Sequence, residues 1–251
     1  MIEKQDLVKY SKLKSLNIGQ SEKDYFQNII LFIIYKMYAT ELIFKGGTAL
    51  SKCYGLDRFS EDLDFTAYRI FDINKFRLYL NRFNIDYELN KQDFKDVGLK
   101  IILRIKGPLY NGVKHSLCKI IVDISYRENL LLDPVIKKII NPETLPSFDI
   151  LVMSKEEIFM EKIRTILTRN KARDLYDLWY LSKLDILYIK KESIDYKLNY
   201  YNKTYDFKTF KKAVLIKRNI WYTELSGLIK NVPSFEIVSK EIFVFLEQKI
   251  K

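Results

Sequence analysis

Phe44-Lys45-Gly46-Gly47-Thr48-Ala49-Leu50, followed after a short loop by Arg58-Phe59-Ser60-Glu61-Asp62-Leu63-Asp64-Phe65, is the stretch from which the fold is read. A small apolar strand runs into two glycines and a hydroxyl, and then into a helix. After a polar loop comes a second apolar segment that carries two aspartates one residue apart. Glycines at a helix start let backbone N–H groups approach a phosphate closely. Side chains at i and i+2 of a strand share a face, so Asp62 and Asp64 are expected side by side. A phosphate cradle beside paired carboxylates is what a magnesium-dependent nucleotide enzyme needs.

Outward from this stretch, the chain reads as two halves. A helix is expected from a Ser21 N-cap through Phe26, Ile29, Ile30, Ile33, Ile34 and Met37, an apolar face at helical spacing. A strand over 41–45, a helix over 48–54 closed by Gly55, and a strand over 62–68 follow. An amphipathic helix over 72–83 precedes two apolar runs, 99–105 and 117–125, whose connection Gly107-Pro108-Leu109-Tyr110-Asn111-Gly112 reads as a hairpin. Further short strands are expected over 135–140 and 148–153. From Ser154, with Glu157 three residues on as a capping box, helical periodicity dominates. Helices are expected over 155–168, 172–183, 207–222 and 234–248, with a frayed one within 188–205. The fold class is therefore α+β: a mixed sheet with helices over 1–153, then a helical domain over 154–251.

Of the 251 residues, 48% are apolar and 30% charged, an ordinary globular composition. Eight glycines and five prolines leave no room for a low-complexity linker. The net charge of +11, from 43 Lys and Arg against 32 Asp and Glu, favours polyanionic partners such as RNA, DNA or nucleoside triphosphates. Cys53 and Cys118 lie in apolar surroundings and read as buried thiols of a reducing compartment. His115 is the only histidine, which removes His-based zinc sites and most His-dependent nucleophile arrangements. The N-terminus shows no signal-peptide core, and the most apolar run, 29–35, is too short to span a bilayer. A cytoplasmic protein without a membrane partner is expected.

A third acid, Asp123, interrupts the apolar run Ile121-Val122-Asp123-Ile124-Ser125. A carboxylate in such a strand must face solvent, a cation or a metal. If its strand neighbours the one that bears Asp62 and Asp64, the three converge as hard oxygen ligands for one or two Mg²⁺ ions. Thr48 can cap its helix while its hydroxyl and the local N–H groups hold a phosphate oxygen. The order of a Walker A loop is absent. Arg58 and Ser60 read as triphosphate contacts or as plain solvent-facing loop residues. Lys162 is expected near the apolar edge of its helix, and Asp174 and Asp177 share a helix face.

Lys45-Gly46-Gly47-Thr48-Ala49-Leu50 with Arg58-Phe59-Ser60-Glu61-Asp62-Leu63-Asp64-Phe65 resembles the AbiEii/AbiGii family of the nucleotidyltransferase superfamily, which includes the MenT toxins. Met160-Glu161-Lys162-Ile163-Arg164 and Lys171-Ala172-Arg173-Asp174-Leu175-Tyr176-Asp177-Leu178 are similar to that family's downstream motifs. The resemblance covers residues 40 to 180, and it implies a nucleotidyltransferase-like fold. It makes Gly47 and Thr48, flanked by Lys45 and Gly46, the phosphate turn, with Thr where many relatives have Ser. It makes Asp62 and Asp64 metal ligands, with Asp123 in the context of a third carboxylate. Lys162 would contact the nucleotide phosphates, and Asp174 would be a further catalytic acid. The implied reaction is Mg²⁺-dependent transfer of a nucleoside monophosphate from an NTP to an acceptor hydroxyl, such as a tRNA 3′ end, with pyrophosphate leaving. The implied setting is a toxin–antitoxin or phage-defence system with an antitoxin partner. The alternatives are a catalytically inactive module of the same fold that binds nucleic acid or a protein partner, and transfer to a small molecule such as an antibiotic.

Overall fold

A computed structural model describes residues 2–127, 129–140, 145–186 and 189–250 of the chain. Helix α1 (Lys4–Lys14) leads into α2 (Ile18–Met37), which begins three residues before the start expected at Ser21. Asn17 is its cap. Asn17 Oδ1 accepts from the Gln20 N–H at 2.8 Å and Gln20 Oε1 accepts from the Asn17 N–H at 3.2 Å, a reciprocal pair that satisfies two otherwise orphaned donors. Ser21 is instead buried inside the helix, and its hydroxyl donates back to the Asn17 carbonyl.

The chain then alternates β1 (Leu42–Lys45), α3 (Gly46–Tyr54), β2 (Asp62–Ala67), α4 (Ile73–Arg82), β3 (Tyr87–Asp93), β4 (Gly98–Ile105), β5 (Cys118–Ser125), β6 (Val135–Ile139) and β7 (Phe148–Val152). Strand β3 is the one the apolar pattern does not announce. Its residues Tyr87-Glu88-Leu89-Asn90-Lys91-Gln92-Asp93 are largely exposed, and the strand exists as an edge held by antiparallel pairing from Tyr87↔Ile105 to Asp93↔Leu99. The helical part comprises α5 (Lys155–Thr168), α6 (Ala172–Ser182), α7 (Lys191–Asn199), α8 (Phe207–Ile216), α9 (Trp221–Leu225) and α10 (Phe235–Lys249). The single helix expected over 207–222 is broken by a 3-10 turn at Lys217–Ile220, and Tyr188 lies outside the described residues. No helix among the described residues is long and apolar enough to cross a membrane.

The sheet runs β3-β4-β5-β2-β1-β7-β6. β2 pairs parallel with β5 and antiparallel with β1, while β1 pairs parallel with β7. Register fixes which residues share a face. Phe44, Leu63, Phe65, Ile101, Leu103, Val122 and Ile124 fall on one face, all buried. Helix α2 covers this face, with Phe32 meeting Phe148 edge-on at 5.3 Å. Lys45, Asp62, Asp64, Lys100 and Asp123 fall on the other face and are only partly buried.

Two compact units result: Met1–Cys53 with Phe59–Asn129 and Pro134–Val152, and Met153–Lys251 with Tyr54–Arg58 and Leu130–Asp133. In the second unit, Ser154 caps α5 by accepting from the Glu157 N–H at 3.3 Å. The reciprocal half of the expected capping box is not made. The buried Glu157 carboxylate instead accepts from the N–H groups of Leu131 and Leu132, both at 3.2 Å, and pairs with Lys197. Cys118 is buried and Cys53 only half-buried, a partial departure from the expected buried pair. Burial pushes both thiols up to about 12.

Asn17→Ala removes the α2 cap and is expected to cost about 1 kcal/mol. Urea denaturation monitored by circular dichroism reads this as a lowered midpoint with an unchanged slope.

Candidate active site

In the first unit, β1 ends at Lys45 and the chain turns directly into α3. Gly46 makes that turn with φ +76°, in the left-handed region that favours glycine. A Cβ at this position would lie 2.3 Å from Asp64 Oδ2, so the missing side chain is what lets the carboxylate lie against the backbone. Gly47 and Thr48 follow in the first turn of α3 and are buried. The Thr48 hydroxyl donates to the Asp62 carbonyl at 2.5 Å, so α3 is tethered to the first residue of β2. Its only proton is used there, whereas the sequence suggests a phosphate oxygen held by this hydroxyl together with the local N–H groups. The loop before β2 is held from the other side. The buried Gln27 donates through Nε2 to the carbonyls of Ser60 and Glu61, both at 2.9 Å.

Asp62 and Asp64 therefore leave β2 on one face. Asp64 is the register partner of Lys45 on β1 and of Asp123 on β5, and Asp123 is in turn opposite Lys100 on β4. The result is a row of basic, acidic, acidic and basic residues across four strands. The strand adjacency that the three-acid reading required is present. Among the described residues, however, no group of three or more His, Cys, Asp or Glu side chains is clustered closely enough to hold a metal. Asp123 Oδ2 instead lies 3.2 Å from Lys100 Nζ.

The other candidate residues lie together in the second unit. Lys162 on α5 is buried, and its ammonium reaches Asp174 Oδ1 at 2.9 Å and Asp177 Oδ2 at 2.6 Å, both on α6. Arg58 is not a solvent-facing loop residue. It is buried, and its guanidinium grips Asp177 at both oxygens, 2.5 Å from Nε to Oδ1 and 2.7 Å from Nη2 to Oδ2. Arg169 closes the other end on Asp174, at 2.7 and 2.9 Å. Lys217, itself buried, donates to the carbonyls of Ile166 and Arg169 at 3.3 and 3.0 Å, where α5 ends. Next to Arg58, Tyr176 Oη donates to Asp57 Oδ1 at 2.5 Å and Tyr180 Oη to the Tyr54 carbonyl at 2.7 Å, which anchors the 54–58 segment in this unit.

Burial alone would raise both carboxyls, but the cations more than offset it. Lys162 and Arg169 hold Asp174 below the usual carboxylate range, and Arg58 and Lys162 do the same for Asp177. Asp177 is the residue that sequence reasoning left out of the candidate set. Its i+3 spacing from Asp174 was visible, but nothing in sequence places Arg58, more than a hundred residues upstream, against it.

The family model described as "Nucleotidyl transferase AbiEii toxin, Type IV TA system" matches residues 31–236. No curated protein matches the chain. Among solved structures, JHP933 from Helicobacter pylori is similar at 19% identity and a TM-score of 0.58, covering 98% of this chain and 93% of that one. MenT4, the nucleotidyltransferase toxin Rv2826c of Mycobacterium tuberculosis H37Rv, is similar at 18% identity and a TM-score of 0.58, covering 98% and 90%. These likenesses show the nucleotidyltransferase fold.

Asp177→Ala leaves Arg58 and Lys162 buried with one carboxylate fewer and is expected to destabilise the protein by about 3–5 kcal/mol. Thermal or urea unfolding measures this. Acid gives a separate signature. Asp174 and Asp177 titrate lower folded than unfolded, so below the ordinary carboxylate value near pH 4 the unfolded chain binds more protons. The stability that these two groups contribute is complete above about pH 5 and falls as pH drops further. Unfolding midpoints measured from pH 7 to pH 3 should show that loss, and Asp177→Ala should flatten it.

Proposed function

Because the chain belongs to the AbiEii family of nucleotidyltransferase toxins of type IV toxin–antitoxin systems, we propose that it transfers a nucleoside monophosphate from an NTP to an acceptor hydroxyl, with Mg²⁺ at Asp62 and Asp64. The observation that carries this reading is the single sheet face on which Asp62, Asp64 and Asp123 stand beside the Gly46 turn. The donor chemistry fits the metal. Mg²⁺ is commonly held by one or two carboxylates, with water and substrate phosphates filling its other positions, so two aspartates suffice without a three-acid cage. Asp62 and Asp64 would hold the ion, which would supply neutralisation of triphosphate charge and a lowered pKa for the attacking hydroxyl.

The chain's own groups supply the rest of the proposal. Gly46 and Gly47 offer the N-terminal N–H groups of α3 to phosphate oxygens. Lys45, in register with Asp64, adds positive charge, and Ser60 flanks the entry to β2. The acceptor oxygen forms the new bond to the α-phosphorus as the bond to the β-phosphate bridge breaks. Pyrophosphate leaves, and the acceptor proton passes to a carboxylate of the same face.

Lys162 and Asp174 enter as a coupled pair. Two of the three N–H groups of the Lys162 ammonium are directed at Asp174 and Asp177, and in this proposal the third serves a nucleotide phosphate. Arg58, committed to Asp177, holds that pair in place. The net charge of +11 suits an RNA acceptor, a tRNA 3′ end being the one proposed. An antitoxin partner, a role in phage defence and a cytoplasmic location complete the reading.

Incubation with each α-labelled NTP, Mg²⁺ and total cellular RNA tests the reaction. Labelled RNA is expected with the wild-type protein. Asp64→Asn, shown folded by circular dichroism, should lower labelling by about 100-fold or more. Undiminished labelling by the folded variant would overturn the assignment.

A further inference from the structure

A cavity of about 440 Å³ opens in the first unit at the far end of β2, lined among others by Ala67, Tyr68, Lys91, Asp93, Lys95 and Tyr126. Ala67 is three residues beyond Asp64, about 10 Å along the strand. Register also puts it on the opposite side of the sheet. Ala67, Lys91, Asp93 and Leu99 share the face of Leu63 and Phe65, not that of Asp62 and Asp64. No residue of the proposed reaction belongs to this cavity.

Its floor is rigid. Phe71, which also lines it, is buried, its N–H donates to Tyr126 Oη at 3.1 Å, and the Asp72 N–H donates to Tyr38 Oη at 2.6 Å. Its rim is basic and aromatic. Arg69 on the rim is offset by Glu41 at 2.9 Å. Lys91 and Lys95 have no ion-pair partner among the described residues, and only one acid, Asp93, lines the cavity with them. Asp93 Oδ1 accepts from the Lys95 backbone N–H at 3.0 Å, and the two ammonium groups together outweigh its single negative charge. Lys95 holds a left-handed backbone at φ +56°, a conformation that costs energy for a residue with a Cβ. Tyr68 is 58% exposed at the mouth, a large ring with little else to cover it.

Rings for stacking beside an uncompensated ammonium are what a base and its phosphate require. We infer that this cavity is a second binding site, on the sheet face opposite the carboxylates, for a nucleoside phosphate, either free or as one residue of an RNA strand.

Titration calorimetry with divalent ions removed by a chelator tests this. The ligands are AMP, adenosine, inorganic phosphate and a short single-stranded oligoadenylate. AMP or the oligonucleotide should bind more tightly than adenosine or phosphate alone. The double variant Lys91→Glu/Lys95→Glu should weaken that binding by about tenfold or more, and Tyr68→Ala by about fivefold. Asp64→Asn should leave it unchanged. A preference for the oligonucleotide identifies an RNA strand as the ligand, and equal affinity identifies the free nucleotide. The inference is overturned by no binding at millimolar ligand, by wild-type affinity in the folded double charge reversal, or by loss of binding in Asp64→Asn.

Discussion

The alternation of side chains along β2 is the constraint on which the first unit depends. A strand sends successive residues to opposite faces. In Asp62-Leu63-Asp64-Phe65 this puts two carboxylates on the open face and two large apolar side chains into the core, where both are fully buried. Neither assignment can change alone. A slip of one residue would bury both aspartates and expose Leu63 and Phe65, so the core locks the register of the candidate site. The parallel pairing with β5 carries the same parity across the sheet, with Val122 and Ile124 inward and Asp123 outward.

The second unit solves a different problem, because its candidate residues are charges inside a helical core. Asp174 and Asp177 are inaccessible to solvent, and a lone carboxylate there would be heavily penalised. Arg58, Lys162 and Arg169 share the two acids, so each oxygen has a cationic donor. Such a lattice fixes orientation more than it adds stability, since desolvation offsets most of the Coulombic gain. It fixes the direction of the Lys162 ammonium. It also explains why a five-residue segment, Tyr54–Arg58, belongs with helices that follow it by about a hundred residues: Arg58 is required at Asp177.

What sequence discloses here follows from whether a feature is local. The alternation in β2, the apolar runs of β4 and β5, and the cap at Ser154 are visible because each lies within a few residues of what it controls. The start of α2 was misplaced because Ser21 resembles a cap, whereas Asn17 and Gln20 form the reciprocal pair and Ser21 bonds backwards. Strand β3 escaped because an edge strand can be polar on both sides and exist only through its partner. Arg58 reads from its polar loop as a triphosphate contact or a solvent-facing residue, because the partner that buries it is 119 residues away. Asp123 was found from the cost of an acid in an apolar strand, but the nearby cation proved to be Lys100, which only register reveals.

The Gly46–Asp64 contact joins two motifs that sequence presents as separate. Glycine at a strand-to-helix turn is usually explained by what must approach it from outside, which under the proposed function is a phosphate. In this fold the first atom to approach is internal: Asp64 Oδ2 occupies the space a Cβ would fill, and the turn's φ independently disfavours any side chain. Thr48 adds a second strut, from α3 to the Asp62 carbonyl. The helix start and the acidic strand are therefore tied at two points, which sets the N-terminal N–H groups of α3 and the carboxylates of β2 at a fixed separation. Preorganisation of this kind is what a site for a metal-bound triphosphate needs, because charge must be matched at two points at once. The seventeen residues between Gly46 and Asp64 matter less for their composition than for returning the chain to that contact.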